Sequence, residues 1–239
     1  MSNTLQGVLF DKDGTLLDFH RTWAGANEQA AEVVAAGSGQ AVTAARLLQA
    51  GGYDPVSNSY RADAPLACGT TADIAAVWAP LLDGVDAGPL AQELERIFQA
   101  LVGRSPCPVE GLHETLDALS ERGFKQGLAT MDSAAMAALH LDELKLAHYF
   151  DFVCGHDSGL GNKPDPGMVF AFCEAVALTP AQVVMVGDTP YDLMMGRAAG
   201  AGFVIAVLSG AGTRDALAPL ADWVLPSIAS LPAWLARHG

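Results

Sequence analysis

Six polar residues of this chain have the types and spacing to carry out chemistry together. Asp11 and Asp13 stand one residue apart in "DKDGTL", Thr130 ends "GLAT", Lys163 lies in "GNKPDP", and Asp188 and Asp192 lie in "VVMVGDTPYD". Four carboxylates against one lysine is an unbalanced charge set. Two like charges about 4 Å apart repel by roughly 4 kcal/mol at an effective dielectric near ~20. The group therefore needs a cation, or some members stay protonated. Oxygen-only donors favour a hard metal, and Mg²⁺ suits a few carboxylates plus a phosphate. A carboxylate nucleophile, a hydroxyl, a lysine and Mg²⁺ together fit phosphoryl transfer through an aspartyl-phosphate. An EF-hand reading of the first stretch fails. A strand precedes it, its third ligand would be Thr15, and the twelfth position is Thr22 rather than Glu.

These residues are useful only if a scaffold brings them together. Short apolar runs read as buried strands at Val8–Phe10, Gly127–Thr130, Phe152–Cys154, Val183–Val186, Phe203–Leu208 and Trp223–Leu225. Helical patterns lie between them at Gly111–Arg122, Ser133–His140, Pro166–Ala177 and Pro190–Ala199. Thr179-Pro180 and Thr189-Pro190 read as helix starts, each a cap followed by proline. Alternation of this kind predicts an α/β fold: a Rossmann-like parallel sheet with helices on both faces. All the polar features then fall at the carboxyl ends of strands, the edge where open α/β sheets place their ligand crevice.

The stretch from about Asp18 to Arg104 breaks this rhythm. It is alanine-rich, with helical patterns at Asn27–Ala36, Ala41–Ala50, Thr71–Leu82 and Pro89–Val102 and no clear strand. Turn signals at Gly37-Ser38-Gly39, Gly51-Gly52 and Asp83-Gly84 separate them. The reading is a core domain of residues 1–17 and 105–239, with an inserted all-helical cap domain at 18–104.

Of the 239 residues, 51% are hydrophobic, so a sizeable core can be buried. The formal net charge of -14 disfavours nucleic acid or an anionic membrane as partner. A local cation and Lys163, rather than the global charge, would attract an anionic substrate. No apolar run reaches the ~20 residues of a membrane span, and no signal peptide is expected. The four cysteines, Cys68, Cys107, Cys154 and Cys173, form no zinc or CxxC spacing. Free thiols in a reducing cytoplasm are the expectation.

Taken in order, the motifs resemble those of the haloacid dehalogenase-like superfamily, specifically its helical-cap phosphatases, and the likeness to phosphoglycolate-phosphatase-like members runs through "GLHETLDALSERGFKQGLAT" and "VVMVGDTPYDLMMGRAAGAG". The resemblance implies a Mg²⁺-dependent phosphatase of a small phosphorylated metabolite. It implies Asp11 as nucleophile and Asp13 as general acid, then base, with a pKa raised by its neighbour's charge. Mg²⁺ would be held by Asp11, the Asp13 backbone carbonyl and Asp188. Asp192 would sit one shell out, orienting a metal-bound water or Lys163. Thr130 and Lys163 would bind the phosphoryl oxygens. Within the superfamily, dehalogenases lack an acid at the position of Asp13, and phosphonate-cleaving members carry a small residue there. Sugar-phosphate mutases typically show Glu-Asp where this chain has Gly187-Asp188.

Met131-Asp132 departs from the small polar residue that often follows the motif threonine, and Asp132 is expected to turn away as a cap for the helix at Ser133. In the insert, His20 is expected to pack at the hinge and Trp23 in the cap core. Arg21 and Arg61 are candidates to meet a substrate carboxylate. Two alternatives remain: a phosphomutase of the same superfamily, and a phosphate-accepting signalling module. Receiver domains of the latter class place their acceptor after the third strand rather than the first. Oligomeric state is open.

Overall fold

A computed structural model describes residues 4–37 and 42–238. Eight strands occur among them: β1 (Gly7–Phe10), β2 (Tyr53–Asp54), β3 (Ser59–Tyr60), β4 (Lys125–Ala129), β5 (Phe152–Cys154), β6 (Val183–Gly187), β7 (Phe203–Val207) and β8 (Trp223–Leu225). Six of them form one sheet in the order β5-β4-β1-β6-β7-β8, and every pairing in it is parallel. The helices are α1 (Gly25–Gly37), α2 (Ala44–Ala50), α3 (Pro65–Cys68), α4 (Thr71–Trp78), α5 (Ala87–Val102), α6 (Leu112–Glu121), α7 (Ala134–Glu143), α8 (Gly167–Ala175), α9 (Pro190–Ala199), α10 (Arg214–Leu217) and α11 (Leu231–His238).

The strand β1 lies at the middle of the sheet and is buried along its whole length. Val8 and Phe10 enter one apolar cluster with side chains of α6 and α11, while Leu9 enters another with side chains of α8. Alternate residues point to opposite faces of a strand. Because both faces are covered, the run reads as continuously apolar rather than alternating. The carboxyl end of β1 is thereby held between β4 and β6, and Asp11 continues the ladder by donating its backbone N–H to the Val186 carbonyl at 2.9 Å.

The described residues between Phe19 and Val102 pack around an apolar cluster of their own, with Leu47, Trp78, Leu94 and Phe98 among its buried members. Two adjacent chain crossings join this helical insert to the sheet. Asp18 N–H donates to the Cys107 carbonyl at 2.8 Å, and Val109 N–H to the Leu16 carbonyl at 3.0 Å. Differences from the expectations are local. Proline 80 ends α4 early, and Ala79–Leu81 continues as a 3₁₀ turn. Residues Pro180–Gln182 form a 3₁₀ turn leading straight into β6, rather than a helix. The insert also contains a strand pair, β2 with β3, antiparallel. Its turn is held by Asp54, which accepts from Val56 N–H at 2.9 Å and Ser57 Oγ at 2.6 Å. Two-residue strands are too short to leave a period in a sequence. Of the turn expected at Gly37-Ser38-Gly39 only Gly37, the last residue of α1, is among the described residues, and the helix start expected at Ala41 falls outside them.

Candidate active site

The loop after β1 turns back at once, and Leu16 and Leu17 both donate backbone N–H to the Lys12 carbonyl at 2.9 Å. Gly14 makes this turn possible with a φ of 87°. A side chain there would run into the Asp188 carboxylate, as would one at Gly210. The carboxylate therefore occupies a slot that only glycines leave open. Asp188 Oδ2 accepts from Ala211 N–H at 2.9 Å, and Oδ1 from Thr15 Oγ1 at 3.4 Å.

Asp192 is placed by the start of α9. Thr189 caps that helix and forms a reciprocal pair with Asp192, whose Oδ2 accepts from Thr189 N–H at 2.9 Å and Oγ1 at 2.6 Å. The other oxygen, Oδ1, accepts from Lys163 Nζ at 2.6 Å. Lys163 also donates to Asp11 Oδ1 at 2.5 Å. Asp11, Asp188 and Asp192 are all buried, and one oxygen from each lies within 4.8 Å of the others. Three converging carboxylates with a single ammonium among them have the donor set of a hard divalent cation. Asp192 is therefore a full member of the carboxylate triad as well as the partner of Lys163.

Electrostatics agree with that imbalance. Burial pushes the Asp11 carboxyl up to about 7; Lys163 opposes the shift, and Asp192 and Asp13 add to it. Asp188 is raised well above the ordinary carboxylate range by burial and by its two acidic neighbours. Burial disfavours the Lys163 ammonium, but Asp11 and Asp192 outweigh it and the pKa rises. Thr130 is buried at the end of β4 and lines the same cavity; its Oγ1 accepts from Asp132 N–H at 3.1 Å.

A second polar cluster lies beside the first, and it corrects three expectations. Lys12, buried between the two motif aspartates, reaches Asp13 Oδ2 at 2.8 Å, Asp132 Oδ2 at 3.0 Å and His140 Nδ1 at 3.0 Å. Asp132 thus turns toward the site rather than away, and Ser133 itself caps α7. Asp13 is held below the ordinary range, not above it. Burial acts to raise it, but Lys12, His140 and the Trp23 indole together prevail. The upward shifts fall on Asp11, on Asp188 and on Asp132, which burial pushes to about 6. Trp23 packs edge-on against Phe98 of the insert, yet its Nε1 donates to Asp13 Oδ1 at 2.6 Å, so this cap-core residue also touches the site. Burial and Lys12 lower His140 to about 4. Its bare Nδ1 accepts from Lys12, so Nε2 carries the proton and faces the Val102 carbonyl of α5 at 3.1 Å.

The remaining insert residues are placed as follows. His20 is exposed and packs edge-on to Phe19. Arg21 is exposed, Arg61 is exposed and paired with Asp63 at 3.5 Å, and neither lines the cavity over Asp11. Lys12 carried a readable signal, a lysine set directly between the two motif aspartates at the end of a buried strand. Glu95, Ser133 and His140 carried none, because their meeting depends on how α5 lies over α7.

Comparison with known proteins follows the same lines. The family model of the haloacid dehalogenase-like hydrolases matches residues 5–200. An N-acetylmuramic acid 6-phosphate phosphatase from Pseudomonas aeruginosa is 30% identical over 196 residues, which is 82% of this chain and 79% of the relative. A phosphoglycolate phosphatase from Xylella fastidiosa is 30% identical over 200 residues, 84% of this chain and 79% of the relative. Among solved structures, a haloacid dehalogenase-like family protein from Streptococcus pneumoniae superposes with a TM-score of 0.72 at 18% identity, covering 98% of this chain and 99% of its own. CbbY from Rhodobacter sphaeroides, solved with phosphate, gives 0.73 at 16% identity, covering 95% and 96%. With its motif aspartates gathered at one sheet edge, the chain belongs to the haloacid dehalogenase-like hydrolase family and is an enzyme of its phosphatase type.

Proposed function

We propose that the protein is a Mg²⁺-dependent phosphatase of a small phosphorylated metabolite, working through an aspartyl-phosphate on Asp11. The observation that carries this reading is the buried triad of Asp11, Asp188 and Asp192 within 4.8 Å, with Lys163 between two of them. Asp11, Asp188 and the Asp13 backbone carbonyl would hold the ion, with Asp192 beside them. Bound there, Mg²⁺ neutralises charge on the phosphoryl oxygens.

Asp11 attacks phosphorus, and the bond from phosphorus to the ester oxygen breaks. Lys163 and the Thr130 hydroxyl bind phosphoryl oxygens and hold them in line. Asp13 gives a proton to the departing oxygen. It then takes one from the water that attacks phosphorus and frees Asp11. Lys12 and Trp23 favour the carboxylate that Asp13 becomes once its proton has left with the ester oxygen, and that carboxylate then accepts the proton of the attacking water. The insert, residues 18–104 in our assignment, serves as a cap that excludes bulk water and receives the organic part of the substrate. A cytoplasmic site of action fits this substrate class, and no helix among the described residues is long and apolar enough to cross a membrane.

The test is phosphate release from para-nitrophenyl phosphate with and without Mg²⁺. Asp11→Asn is expected to lower kcat by about 10³-fold or more while leaving the circular dichroism spectrum unchanged. Retained turnover in that variant would remove Asp11 from the nucleophile role. Isomerised sugar phosphate without free phosphate would instead support a mutase.

A further inference from the structure

The cavity above Asp11 encloses about 750 Å³, counting its open mouth, and its upper wall comes from the insert. Phe19, Trp23, Leu66, Ile74 and Phe98 supply an apolar surface there. Three polar side chains interrupt it: Asn27, Thr71 and Glu95. Glu95, on α5, accepts from Ser133 Oγ at 2.7 Å and from Thr71 Oγ1 at 3.4 Å. These two bonds leave the carboxylate with lone pairs to spare. Asn27 is only 1% exposed, and its amide nitrogen approaches the Tyr60 phenol without reaching a hydrogen bond of good geometry. A buried donor without a partner is costly and marks a place for a ligand acceptor.

Cations are scarce in this wall. Lys163 is the only lysine or arginine lining the cavity among the described residues, and Asp11 and Asp192 engage it. Lys12 is engaged by Asp13, Asp132 and His140. His156 lines the core side, where its backbone N–H meets the Asp132 carbonyl. Arg21 and Arg61 are outside the cavity. An anionic group on the organic part of a substrate would therefore meet Glu95 with no insert cation to offset it.

Resting on the phosphatase reading above, we infer that Glu95 and Asn27 select a phosphomonoester whose organic part is uncharged and hydroxylated, and that they reject carboxylate-bearing esters. A hydroxyl group can donate to Glu95 and accept from Asn27. An ammonium group satisfies Glu95 and leaves the Asn27 nitrogen unpaired. A carboxylate satisfies Asn27 and is repelled by Glu95. The apolar surface takes the carbon face of the same skeleton.

The experiment compares kcat/KM of the wild-type protein with Mg²⁺ on four esters: para-nitrophenyl phosphate, glycerol 1-phosphate, 2-phosphoglycolate and 2-aminoethyl phosphate. Glycerol 1-phosphate is expected to exceed both 2-phosphoglycolate and 2-aminoethyl phosphate by about tenfold or more, a difference of ~1.4 kcal/mol. Glu95→Gln is expected to narrow the ratio of glycerol 1-phosphate to 2-phosphoglycolate by about fivefold, each normalised to the aryl ester. Asn27→Ala is expected to lower glycerol 1-phosphate turnover relative to the aryl ester. Equal or better use of 2-phosphoglycolate or 2-aminoethyl phosphate by the wild type overturns the inference and leaves the phosphatase reading intact. An unchanged ratio in folded Glu95→Gln also overturns it. If no ester releases phosphate, both readings fall. The wild-type comparison decides the matter even where a variant does not fold.

Discussion

Lys12 is buried with two carboxylates and an imidazole around its ammonium group, so its removal would leave Asp13 and Asp132 facing each other without a counter-charge. Breaking a buried ion pair from one side typically destabilises by about 3–5 kcal/mol. Lys12→Met should therefore lower the unfolding free energy measured by urea titration by an amount in that range, and adding Asp132→Asn should recover part of it. The carboxyls of Asp11 and Asp132 lead to a second expectation. Their pKa values rise on folding, from 3.8 to about 7 and about 6. A raised carboxyl stabilises the fold at low pH, and that stabilisation fades as pH climbs through the folded value. The metal-free protein should thus lose thermal stability between about pH 5 and pH 7, with Asp188 acting in the same direction. His140, lowered from 6.5 to about 4, works the opposite way and offsets part of that loss below pH 6.5, while Asp13, also lowered, acts only below its ordinary 3.8. Mg²⁺ at pH 8 should restore the melting temperature. A melting curve that ignores both pH and Mg²⁺ would count against a cation among these carboxylates.

Two helix starts do much of the positioning. At α9, Thr189 both caps the helix and fixes one oxygen of Asp192, leaving the other for Lys163. Loss of such a cap costs about 1–2 kcal/mol. Thr189→Ala should lower stability by that amount and lower phosphatase activity as well, because Asp192 loses its fixed rotamer; calorimetry and aryl phosphate turnover measure the two effects. At α7, Ser133 caps the helix through its oxygen, which accepts from Met136 N–H at 3.2 Å, while its hydroxyl proton goes to Glu95. The same residue therefore ties a sheet-side helix to the insert. The "TP" cap signal for α9 was readable from the sequence, whereas the cap of α7 was expected at Asp132 and lies at Ser133. The 3₁₀ turn at Pro180–Gln182 was not readable, because a cap followed by proline looks the same whether one turn or three follow it.

Across the whole molecule, the insert and the sheet have separate apolar clusters, and among the described residues Met136 of α7 joins the insert's cluster. Much of what holds the insert over Asp11 is polar: Trp23 to Asp13, Glu95 to Ser133 and His140 to Val102. Leu94→Ala, deep in the insert's cluster, should cost about 2–5 kcal/mol. Hydrogen exchange should report that loss in α1, α4 and α5 and leave β1, β4 and β6 protected. The formal charge of -14 also has a kinetic consequence. A strongly acidic protein repels an anionic ester at long range, and salt screens that repulsion. Raising ionic strength from about 10 to 150 mM should raise kcat/KM for para-nitrophenyl phosphate by roughly 1.5- to 3-fold. A fall would mean that local cations dominate the approach.

Residue type and position after the strands put forward Asp11, Asp13, Thr130, Lys163, Asp188 and Asp192 together, because buried parallel strands leave continuous apolar runs and these residues lie beyond where the runs stop; the fold brings Asp11, Lys163, Asp188 and Asp192 into contact. The parallel α/β class followed from the same alternation. The tertiary structure alone decided what surrounds the set. It turned Asp132 inward, lowered Asp13 through Lys12, brought Trp23 from the insert onto Asp13, and left Arg21 and Arg61 outside the cavity. Each of those outcomes depends on which faces of distant helices meet, and on the local field that results. Local patterns in a chain record periodicity and turn chemistry, not the distance between residues 95 and 133.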